Sequence, residues 1–170
     1  MTNEKLHARI EALEARVAAL EGLEVGPPLP DVAVSSETFW ALNGLKELIG
    51  SGSGAVLFTG SVDLPTGEHY EWQEGRESQP LLDADWADLA AGLQALAHPI
   101  RLLLLREVLH GVRTTAELAA HPDLGTSGQL YHHLRHLTAA GWLHSTARGH
   151  YSVPGERVVP LLIVLMGVRR

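Results

Sequence analysis

Five residues, HPDLG at 121–125, separate TTAELAA from TSGQLYHHL, and they constrain this chain more than any other stretch. Proline and glycine so close together stop one helix and turn the backbone before the next. Both flanks carry helix-start signals: Thr114 with Glu117, and Thr126 with Gln129, have the three-residue spacing of a capping box. Two helices joined by so short a turn form a helix-turn-helix. In the second, Leu130, Leu134 and Leu137 recur at the 3/4 spacing of a buried stripe, which leaves Gln129, Tyr131, His132 and Arg135 to project elsewhere.

The flanking sequence extends the pattern in both directions. DADWADLAAGLQALA (83–97) is helical and stops at His98–Pro99, where Pro99 suits the first turn of the next helix, PIRLLLLREVLHG. After GWL come two short β-like runs, HSTARGHYSV (144–153), and then an apolar helix over about 156–168. From 83 onward the expected order is therefore helix, helix, short helix, turn, helix, β-hairpin, helix.

The first half is built differently. Leu6, Ile10, Leu13, Val17 and Leu20 recur at spacings of 4, 3, 4 and 3, an a/d seam of a little over two heptads. A helix that short is marginal alone, so its stripe must be covered, and pairing with a second copy is the favoured solution. GLEVGPPLPD breaks it. Ser35, Ser36 and Glu37 then cap a helix through Ile49 with Phe39, Leu42, Leu45 and Ile49 on its buried face. GSGSG (50–54) lacks the strand-before, helix-after context of a phosphate loop and is read as a connection. AVLFTGSV (55–62) and EHYEWQE (68–74), separated by DLPTG, read as a hairpin with Tyr70 and Trp72 on one face. That face either packs on the Phe39 helix, the commoner fate of an aromatic stripe, or helps line an effector pocket with Trp40, Tyr70 and Trp72. The resulting fold class is mainly α with small β. Its expected divisions are a coiled-coil-like dimerisation helix at 1–24, a linker at 25–34, a helix-plus-hairpin subdomain at 35–80, and the helix-turn-helix domain at 81–170.

Charge follows the same division. Residues 1–93 hold 5 Lys/Arg against 16 Asp/Glu, whereas 94–152 hold 5 against 3 and 153–170 hold 3 against 1. Eight of the ten histidines fall in 98–150. An acidic front and a mildly basic, His-rich back suggest two tasks on one chain. Cysteine is absent, which removes disulfides, thiolate metal sites and cysteine nucleophiles from consideration. No apolar signal core opens the chain, and VVPLLIVLMGV at 158–168 is too short to span a bilayer, so a cytoplasmic protein without membrane attachment is expected.

LQALAHPIRLLLL, TTAELAA, TSGQLYHHLRHLTAAGWL and the ARGHYSV hairpin, in that order, together resemble an ArsR-type winged helix-turn-helix repressor domain over about residues 90–168. The resemblance implies a homodimeric regulator that binds double-stranded DNA at a two-fold-symmetric operator, with the helix at 126–139 in the major groove. On that reading Thr126, Ser127 and Gly128 bring the helix N-terminus to phosphate, and Gln129 pairs with adenine. Tyr131, His132 and Arg135 reach phosphate or base, and Arg148 at the hairpin tip enters the minor groove. Leu161, Leu162 and Leu165 of the terminal helix join the N-terminal seam as dimer contacts. The alternative is a protein-interaction module that keeps this scaffold without strong DNA affinity.

Other chemistries are weaker on these residues. His132 and His136 are four apart and could share a zinc ion, but no further ligands converge and ERVVPLLIVLMGVRR offers only Glu156, so neither a metal nor a cofactor is expected. No nucleophile–base pair or carboxylate dyad stands out, so no enzyme activity is expected. His133 reads as a satisfied, half-buried histidine, His136 as a solvated one, and Arg101 and Arg106 as partners of nearby carboxylates.

Overall fold

The computed structural model describes residues 39–50, 52 and 54–169. The seam at Leu6, Ile10, Leu13, Val17 and Leu20 and the linker at 25–34 lie outside them. The architecture is mixed: seven α-helices among the described residues, with two separate antiparallel hairpins. The chain divides into two compact units between Lys46 and Glu47. Helix α1 (Trp40–Ile49) buries none of its residues, contrary to the expected buried face of Phe39, Leu42, Leu45 and Ile49.

Strands β1 (Ala55–Asp63) and β2 (His69–Glu77) pair through nine positions, from Ala55 opposite Glu77 to Asp63 opposite His69. Their turn closes where Leu64 N–H donates to Glu68 O at 2.9 Å. Helix α2 (Ser78–Asp83) and a 3-10 turn (Trp86–Leu89) lead into α3 (Ala90–Leu96) and α4 (Pro99–Leu109). The break between α3 and α4 is chemical. Pro99 cannot donate a backbone bond, and the His98 side chain caps α4 by accepting from Ile100 N–H. Arg101 is buried, and its guanidinium donates to Ala95 O and Gln94 O, both at 2.6 Å. It thus satisfies the C-terminal carbonyls of α3 instead of pairing with a carboxylate, while Arg106 does pair with Glu107.

Helix α5 (Thr115–Ala119) and helix α6 (Ser127–Ala139) both start with the expected capping boxes. Between them Gly125 takes φ +76°, a conformation side-chain-bearing residues rarely adopt. Strands β3 (His144–Ala147) and β4 (His150–Ser152) form the second hairpin, and helix α7 (Gly155–Gly167) ends the fold. Leu130, Leu134 and Leu137 of α6 enter one core with Leu104, Leu118, Leu143 and Val158. Trp142 completes it, donating its indole N–H to Gly92 O at 3.0 Å. On α7, Leu161 is only 1% exposed and belongs to this core, so it is not available as a dimer contact. Leu165 packs partly against the same core, and Leu162, 36% exposed, remains on the surface.

The first hairpin docks on α7 and so belongs to the same unit as the helices that follow. Gly60 makes this docking close: a Cβ there would lie 2.6 Å from Val159 Cγ1. Gly60→Ala should therefore destabilise the protein by about 1–3 kcal/mol through overpacking. Urea unfolding checks this, and an unchanged midpoint would show that the hairpin can lift from α7 at no cost.

Candidate nucleic-acid interface

The N-terminus of α6 and the tip of the second hairpin meet across α5. Thr115 N–H donates to Gly149 O at 2.8 Å, Tyr151 N–H donates to Arg113 O at 2.9 Å, and Thr114 forms a β-bridge with His150. These bonds pin the hairpin beside the helix pair. Between them lies a cleft of about 670 Å³, lined by Ser127 and Tyr131 of α6, Arg148 and His150 of the hairpin, and Thr115 of α5. Among the described residues no carboxylate lines it. The nearest acid by sequence, Glu117, is committed to the α5 cap: Thr114 Oγ1 and N–H both donate to it, and those bonds hold its carboxyl below the ordinary range.

Of the residues expected to contact DNA, the structure brings Ser127, Tyr131 and Arg148 together on this cleft. Thr126, Gly128, Gln129, His132 and Arg135 are exposed on α6 outside its lining. In the free protein Gln129 caps α6: its Oε1 accepts from Thr126 N–H at 3.0 Å. Thr126 Oγ1 in turn accepts from Gln129 N–H. Sequence reasoning missed Thr115 and His150. Their local signal was a helix start and a strand, and only the pairing of Thr114 with His150 carries them to the cleft.

A second grouping runs along α6. The rings of His98 and His133 lie 4.6 Å apart, those of His132 and His133 5.6 Å, and those of His132 and His136 4.5 Å. His133 is half-buried, as expected, but not satisfied: its buried Nδ1 has no hydrogen-bond partner among the described residues. Burial, and then the positive potential of His98, His132, Arg101 and His136, hold its pKa below 6.5. Because the unfolded chain takes up this proton first, stability should fall as pH drops from about 6.5 through the lower folded-state value. His133→Gln should flatten that part of the profile, as read by urea midpoints at pH 7.5 and 5.5; equal losses in both proteins would contradict the assignment. Among the described residues no group of three or more His, Asp or Glu is placed to hold a metal ion.

Of the aromatics expected at an effector pocket, Tyr70 packs into the core beside Gly155 and Trp72 lines a recess against α7; Trp40 belongs to the first unit. The hairpin's aromatic face thus finds its packing partner in α7. Its turn is fastened by an ion pair between Glu68 and Arg113, which lowers the Glu68 pKa, and Arg113 O in turn accepts from Tyr151 N–H of β4.

No family model matches the chain, and no curated protein or solved structure gives a match. Among the described residues no single helix is long and apolar enough to cross a membrane; Trp86–Leu96 and Pro99–Leu109 have the combined length but are bent by 73°.

Proposed function

We propose that this protein is a dimeric, sequence-specific DNA-binding regulator with an ArsR-like winged helix-turn-helix, acting in the cytoplasm as a repressor. The observation that carries the reading is the cleft. Arg148 at the tip of one hairpin and Ser127 and Tyr131 at the start of α6 face a common space without a carboxylate, an arrangement suited to a phosphate backbone. On this reading α6 is the helix that enters the major groove and β3–β4 is the wing. Exposed Arg135 and His132 extend the contact along α6.

A dimer is supported by apolar surface. Leu82, Trp86, Leu89 and Leu93 recur at spacings of 4, 3 and 4, and all four are exposed. Leu162 and Met166 are exposed on α7. Water-exposed apolar side chains in such number favour association, and a two-fold pair would read half-sites about one helical turn apart. The net charge of −7 favours a second reading, an interaction module with little DNA affinity.

Binding to random genomic fragments across a salt series, with sequencing of the retained DNA, tests the proposal. A single two-fold-symmetric sequence whose retention weakens steeply with salt is expected. Retention without an enriched sequence would favour the interaction module.

A further inference from the structure

The recess against α7 has a chemistry of its own, separate from the cleft. It measures about 520 Å³ and opens between the first hairpin and the N-terminal half of α7. Its cause is the uneven docking of the hairpin. At one end Gly60 and Tyr70 let α7 approach closely, against Val159 and Gly155. Further along the same hairpin face, Phe58 stands opposite Glu74 and Val56 opposite Arg76, and here the space towards α7 stays open. Phe58, Trp72, Leu81 and Pro160 supply flat apolar walls, a lining that suits an aromatic ring.

The charges at its edge are not equivalent. Arg76 is already neutralised, because its Nε and Nη2 donate to Glu74 Oε1 at 2.9 and 2.8 Å. Glu156 lies in the first turn of α7, where the helix dipole offsets a negative charge. Arg157 is different. Its guanidinium lies over the Trp142 ring at 5.1 Å and makes no ion pair among the described residues. A planar cation with unspent N–H donors beside an apolar slot is complementary to a carboxylate joined to a flat ring.

We propose that this recess binds an aromatic carboxylate, with its ring among Phe58, Trp72 and Pro160 and its carboxylate on Arg157. The site does not depend on the DNA-binding reading. The first hairpin is nevertheless linked to β4 of the second through Glu68 and Arg113, whose backbone O accepts from Tyr151 N–H.

The test uses the full chain without DNA, so failure of the regulator reading leaves it intact. 2-Naphthoate is titrated against the indole N–H resonances, with Trp72 assigned through Trp72→Phe. A saturable shift of the Trp72 signal is expected, and neutral 2-naphthamide should bind about tenfold more weakly, the loss of a charge-assisted contact. Arg157→Gln should weaken 2-naphthoate by a similar factor. Because that change also removes the contact with Trp142, Leu81→Glu provides an independent variant: it places a negative charge on an exposed wall and should weaken binding without touching Trp142. An unmoved Trp72 signal at millimolar 2-naphthoate, equal affinity for the amide, or wild-type affinity in both variants would overturn the proposal.

Discussion

Replacing Arg135 and Arg148 together by alanine is expected to cost at least roughly thirtyfold in affinity for the selected DNA, with dimerisation and thermal stability unchanged. Each lost contact to phosphate or base is worth about 1–3 kcal/mol, and the two residues lie on different elements, α6 and the β3–β4 turn. Both are exposed and neither is in an ion pair among the described residues, so folding should not depend on them. Loss of a phosphate contact at either position would also lower the salt dependence by about one counterion per site. Fluorescence anisotropy on the enriched operator across a salt series measures both quantities. Undiminished affinity would remove α6 and the second hairpin as the DNA-reading surface and leave the interaction module as the better account.

Leu134→Ala should produce the largest loss of stability, about 2–5 kcal/mol. Leu134 is 1% exposed at the centre of the α6 stripe, within the core that joins α6 to α4 and α7. Against a typical total of about 5–15 kcal/mol, such a loss removes a large share of the fold's stability. Leu162→Ala, the same chemistry at a surface position of α7, should change monomer stability by no more than about 0.5 kcal/mol. Denaturant unfolding at low protein concentration compares the two directly. A Leu162 variant that loses stability only at high concentration would place that side chain in the dimer contact, because association stabilises by mass action.

The residues that were legible in the sequence share one property: their partners lie within one turn. Thr114 and Thr126 are read correctly as caps because a capping box closes within four residues. Pro99 stops one helix and starts another, and the 130/134/137 spacing identifies the buried face of α6. At Gln129 local pattern admits two roles: capping and base reading both fit its type and spacing, and the free protein uses it for the cap.

Local pattern by itself determined the order of elements from 83 to 168, both hairpins, the two capping boxes and the leucine spine of α6. These follow from bonds and periodicities that close over a few residues, so their signals survive in a linear reading. Only the tertiary structure decided that the first hairpin belongs with α7, that Leu161 points inward while Leu162 stays outside, that Arg101 caps α3, and that Arg148 faces Ser127 and Tyr131 across one cleft. Each of these depends on which face meets another element, often a hundred residues away as for Gly60 and Val159. A one-dimensional pattern states that a face is apolar or polar; shape and packing choose its partner.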